Sequence, residues 1–148
     1  MKELRTEIDI AASPEAVWKV LLDFAAFPQW NPFIQEASGE RKVGSRLRVR
    51  IVPPGSQGMI FKPVVTVCEP NREFRWLGKL GFRGIFDGEH AFKLEPIAGG
   101  QTRLVQSEIF TGVLVPLLAK SLDNQTKQGF EAMNAALKKQ VERRLDLQ

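Results

Sequence analysis

The sequence contains no tyrosine, a single histidine and a single cysteine. Each scarcity removes a class of chemistry. Cys68 alone cannot close an intramolecular disulfide or form a CxxC pair, which fits a reducing compartment. His90 alone excludes a two-histidine zinc helix, and no cysteine or carboxylate stands at a ligand-like spacing from it, so neither a metal nor any other cofactor is expected. Tyrosine-based acid catalysis is out as well. No apolar run approaches the roughly 20 residues a membrane-spanning helix needs, and the opening MKELRTEIDI lacks the apolar block of a secretory signal. The expectation is a cytoplasmic protein with no stable membrane association. Charge of one sign is not concentrated either: 21 basic and 17 acidic residues are spread evenly, and the net +4 carries no basic tail.

What is present describes an ordinary globular chain. A length of 148 residues, 43% of them hydrophobic and 26% charged, suits a single domain over 1–148. The one local charge excess is Arg41, Lys42, Arg46, Arg48 and Arg50. Arg46, Arg48 and Arg50 alternate with Leu47, Val49 and Ile51, as the solvated face of a half-buried strand requires. No aromatic lies among these arginines to stack a base, so nucleic acid is not an expected partner.

The pattern of elements is legible. Alternation from Leu4 to Ile10 predicts a strand. Ser13 as N-cap, Pro14 at the first helical position and Glu15 at the positive dipole end then open an amphipathic helix carrying Val17, Val20, Leu21 and Phe24. Two prolines keep Phe27-Pro28-Gln29-Trp30-Asn31-Pro32-Phe33 from forming a regular helix, leaving an aromatic-rich turn or a broken short one. Six strand-like stretches follow at 34–39, 46–52, 59–68, 73–77, 85–94 and 102–111, separated by glycine and proline turn signals. From Pro116 to about Leu145, apolar residues recur at helical spacing, with Gly129 as an interruption that costs about 1 kcal/mol relative to alanine. The sum predicts an α+β domain with helices on one face of an antiparallel sheet.

The SPEAVW opening, the FPQWNPF turn, the FKPVV, REFRWLG, GEHAFKLEP and TRLVQSEIFTG strands and the long terminal helix together resemble the START-like, or birch-pollen-allergen-like (SRPBCC), superfamily. Within it the bacterial polyketide-cyclase-like members are most similar. The resemblance runs from Leu4 to about Glu142. It implies a helix-grip fold: a seven-stranded curved antiparallel sheet around a long C-terminal helix, two short helices between strands 1 and 2, and a cavity for an apolar ligand. It implies less about chemistry, because one fold hosts carriers, receptors, cyclases and chaperone regulators.

Strand parity nominates a lining if the larger apolar side chains face the cavity. On 59–68 the odd positions Met59, Phe61, Val65 and Val67 point in, and Cys68 out. Phe74 and Trp76 share the inward face of the next strand, and His90 shares its face with Phe86, Phe92 and Leu94. On the last strand Leu104, Gln106, Glu108 and Phe110 form one face. A three-residue hairpin loop at Ala98–Gly100 sets His90 opposite Glu108, whereas a two-residue turn at Gly99-Gly100 sets it opposite Ile109. The family's E-x-F-x-G pattern, matched by Glu108, Phe110 and Gly112, favours Glu108 inward. With Trp30, Phe33, Phe130, Met133 and Leu137, the residues Met59, Phe61, Phe74, Trp76, His90, Phe92, Gln106, Glu108 and Phe110 make up the candidate ligand-binding set. Gly78, Gly81 and Gly84 lack the spacing of a phosphate loop and read as a rim loop, with Phe82 exposed or capping the entrance.

Three functions fit. The first is binding of a small hydrophobic molecule, lipid-like, polyketide or aromatic, by a monomer or weak homodimer without turnover. The second is a cyclase or aromatase in which His90, oriented by Glu108, moves protons. The third is a protein-interaction module of the chaperone-regulator type, using the outer sheet or the Arg46, Arg48 and Arg50 stripe on an acidic partner.

Overall fold

The computed structural model describes residues 1–146. β1 (Lys2–Ile10) leads into α1 (Pro14–Leu21), whose start is set as the sequence predicts: the Ser13 hydroxyl accepts from the Ala16 N–H at 3.2 Å, and Pro14 fills the first turn. Val17, Val20 and Leu21 are its buried stripe. A 3-10 turn at Phe24–Ala26 and the one-turn helix α2 (Phe27–Trp30) follow. The Asn31 side chain then accepts from the Phe33 and Ile34 N–H groups at 3.0 and 2.9 Å, turning the chain into β2 (Ile34–Ser38).

β3 (Arg48–Ile51), β4 (Met59–Phe61), β5 (Val64–Glu69), β6 (Glu73–Lys79), β7 (Asp87–Ile97) and β8 (Gln101–Thr111) complete the strands. All pairings are antiparallel, in the orders β1-β8-β7-β6-β5 and β2-β3-β4. The stretch read as one strand over 59–68 is two, because Pro63 brings no N–H to the ladder. The two sheets meet at that break: Leu47 N–H donates to the Pro63 carbonyl at 2.8 Å and Val65 N–H to the Ser45 carbonyl at 2.9 Å. Taking β4 and β5 as one interrupted strand gives the seven expected.

A β-bulge between Val65 and Val67 corrects the parity expected further along β5. Val65 pairs with Trp76, but Cys68, not Val67, pairs with the inward Phe74. One extra residue reverses every side chain beyond it. Cys68 therefore packs against the core rather than on the outer face, and burial raises its thiol pKa.

The terminal helix is also less regular than its periodicity suggests. α3 (Val115–Ser121) passes through a π-helical turn at Leu122–Thr126 into α4 (Lys127–Asp146). α4 lies on the concave side of β1 and β8 and buries Phe130, Met133, Leu137 and Val141. Gly129 makes room for the Phe33 ring, which a Cβ there would overlap. Among the described residues no helix is long and apolar enough to cross a membrane.

Candidate ligand-binding site

The β7–β8 hairpin fixes the site. Its connection is the three-residue turn Ala98–Gly100, with Gly99 and Gly100 at φ 80° and 73°, values that favour glycine. The register that follows pairs Ile97 with Gln101 and His90 with Glu108. Gln106 and Glu108 consequently share the concave face with His90.

His90 is fully buried, its ring 4.7 Å from Phe92, 4.9 Å from Phe130 and 5.1 Å from Trp76. Its Nε2 lies 2.9 Å from Gln106 Oε1. The Gln106 amide nitrogen donates to the Phe130 carbonyl at 3.3 Å and to Asn134 Oδ1 at 2.7 Å. Asn134 Nδ2 donates to the Thr6 hydroxyl at 2.9 Å, which donates in turn to the Gln106 carbonyl at 2.9 Å. A backbone carbonyl only accepts, so the Phe130 contact settles which end of Gln106 is nitrogen, and Gln106 Oε1 must accept from His90. The network thereby assigns the proton to His90 Nε2. Nδ1, buried and without a hydrogen bond, lies 3.3 Å from Glu108 Oε1.

Above this layer lies a cavity of about 170 Å³. Phe61, Trp76, Phe86, Phe110 and Leu122 supply most of its apolar wall, and Glu108 brings a carboxylate to it. The Phe86 and Phe110 rings stack at 5.5 Å and 22°. Of the residues nominated from sequence, Phe33, Met59, Phe61, Trp76, Glu108 and Phe110 line the cavity. Phe74, Phe92, Phe130, Met133 and Leu137 are buried in the core beneath it, His90 and Gln106 form the polar layer, and Trp30 packs against Phe27. Parity identifies a face but not depth, and the helix fills the deep end of that face itself.

Sequence reasoning missed Ile51, Pro63, Leu80, Leu122 and two wall glycines, Gly78 and Gly88. A signal for the glycines was present, since a glycine inside a strand marks close approach of a neighbour. At Gly88 the neighbour is the Glu108 carboxylate, whose Oε2 occupies the space a Cβ would need. Phe82 is 80% exposed on the β6–β7 loop and does not cap the entrance, while Leu80 lines it. The arginine stripe is only partly free: Arg46 donates to the Lys62 carbonyl at 2.7 Å, and Arg50 to Gln35 Oε1 and the Gln57 carbonyl at 3.0 and 2.9 Å.

A bent antiparallel sheet gripping a C-terminal helix, with an apolar cavity between them, defines a START-like helix-grip protein. The chain belongs to the family described as polyketide cyclase / dehydrase and lipid transport, whose profile matches residues 1–142. The Zhui aromatase/cyclase of Streptomyces sp. R1128 has a similar fold (TM-score 0.78, 17% identity, 97% of this chain and 95% of that one). So do a START superfamily protein of Mycobacterium smegmatis (TM-score 0.73, 26% identity, 95% and 97%) and protein MLL2253 of Mesorhizobium loti (TM-score 0.74, 19% identity, 96% and 98%). No curated protein matches the sequence.

Proposed function

We propose that this protein binds a small, largely apolar molecule in the cavity between the concave sheet and the C-terminal helix. The observation that carries this reading is the cavity itself: aromatic and aliphatic walls around a single carboxylate are the composition of a ligand site, where apolar contact supplies affinity and a few polar groups set orientation. About 170 Å³ accommodates a one- or two-ring group. The family description, which includes lipid transport, supports the same class of ligand.

Gly78 provides the test. It lines the cavity on the same parity of β6 as Trp76, and an added Cβ would meet only Pro63 Cβ, at 3.7 Å. Gly78→Val should therefore fill the cavity without strain and favour the strand. Native mass spectrometry of gently purified protein should show an organic adduct on the wild type that the variant lacks, with the variant's melting temperature equal or higher. An adduct retained at full occupancy by Gly78→Val would place the ligand elsewhere.

A second reading, proton transfer to or from the bound molecule, is favoured by the 3.3 Å approach of His90 Nδ1 to Glu108 with the opposite nitrogen held by Gln106. His90→Asn that keeps ligand binding and abolishes turnover would support it, whereas unchanged turnover would remove it.

A further inference from the structure

The atoms at the floor of the cavity define what the ligand's polar end must be. Because Gln106 commits the His90 proton to Nε2, Nδ1 and Glu108 Oε1 can meet favourably only with a proton between them. A proton held there, whether on nitrogen or on oxygen, occupies Oε1. In both cases the other oxygen, Oε2, is a pure acceptor. It lies over Gly88, whose missing side chain leaves it room in the cavity wall, and among the described residues no donor meets it. Among the described residues the only cation lining the cavity is Lys79, on the opposite parity of β6 from Trp76 and Gly78 and at an exposed strand end.

We infer that the cavity selects a ligand presenting a hydrogen-bond donor, such as a hydroxyl on an apolar ring skeleton, to Glu108 Oε2, and discriminates against one whose inner end is a carboxylate. This deepens the binding reading and rests on it. An O–H gives the oxygen its missing partner, whereas an ionised carboxylate sets two acceptors face to face in an apolar site, an arrangement that polar sites reject strongly. His90 is then a positioning residue that occupies Oε1 and leaves Oε2 to the ligand.

The test compares three rigid probes of one shape, naphthalene, 2-naphthol and 2-naphthoate, by calorimetric titration against the wild type, Glu108→Gln and Gly88→Ala. 2-Naphthol should bind the wild type at least about tenfold more tightly than 2-naphthoate. Glu108→Gln, which offers a donor of nearly the same shape, should shrink that ratio about tenfold or more. Gly88→Ala should shrink it too, because its methyl group takes the place of Oε2 while leaving every charge intact, and circular dichroism confirms that each variant is folded. Equal affinity for naphthol and naphthoate, or a ratio unchanged in both variants, overturns the donor rule while leaving the cavity a binding site. Failure of all three probes to bind the wild type overturns the donor rule and the binding reading together.

Discussion

Gln106 sits where no water reaches and joins three elements through one side chain: β7 through His90, β1 through Asn134 and Thr6, and α4 through the Phe130 carbonyl. Its removal leaves several buried groups unsatisfied at once, each costing about 1–3 kcal/mol. Gln106→Leu is expected to lower the unfolding free energy by roughly 3 kcal/mol in urea titrations, and a loss below about 1 kcal/mol would show that the network contributes little. Gly129 poses a conflict at the same scale. Alanine improves helix propensity by about 1 kcal/mol, but its methyl would overlap the Phe33 ring, which stands 5.5 Å from Phe130 in an edge contact. Overpacking costs about 1–3 kcal/mol, so Gly129→Ala should be destabilising on balance, and a raised melting temperature would contradict the packing described. The glycine inside a helical pattern was visible in the sequence. Its cause was not, because Phe33 lies nearly a hundred residues away along the chain.

At the scale of elements, the π-helical turn at Leu122–Thr126 inserts one residue's worth of rotation between α3 and α4 and brings Leu122 and Thr126 to the cavity wall. Deleting Asn124 should restore a continuous α-helix, rotate α3 by about 100° relative to α4 and withdraw Leu122 from the wall. Ligand affinity should fall at least about tenfold while far-UV circular dichroism stays helical, and undiminished affinity would mean that the turn has no part in the site. Such a turn leaves no mark in the apolar spacing, whose period hardly changes over five residues. The β5 bulge escaped for a related reason. Period-two parity cannot register one extra residue, so Val67 and Cys68 exchanged faces, whereas parity on β6 and β7 held because their ladder is unbroken.

Across the whole molecule, acid groups tie the C-terminal helix to the turn after the first strand, and the first strand to β8. Glu142 accepts from Lys138 at 2.6 Å and from the Ala11 N–H at 2.9 Å, and Asp9 pairs with Arg103 at 2.9 Å. The hydrogen bond from Lys138, then that from Ala11, lowers the Glu142 pKa, and the hydrogen bond from Arg103 lowers that of Asp9. A pKa depressed on folding contributes stability above the unfolded value and loses it as pH falls through the folded one. Glu142→Gln should therefore melt about 1–3 °C below the wild type at pH 7, a modest shift for an exposed group. The gap should close as pH drops below the ordinary glutamate value of 4.5, and one that persisted or widened in acid would refute the assignment.

The sequence by itself determined the order of elements, the α1 cap and the inward face of β6 and β7. These depend on residues near one another in the chain, through capping hydrogen bonds and strand alternation. Even the pairing of His90 with Glu108 was legible as one of two registers, because a hairpin turn is local and only the length of its loop was open. Tertiary structure alone decided which inward residues see the cavity and which are core. It also decided which nitrogen of His90 carries the proton, since that depends on the Phe130 carbonyl of a distant helix, and why Gly88 has no side chain. Depth, proton placement and free volume arise where three elements converge, and no spacing along one of them encodes the position of the others.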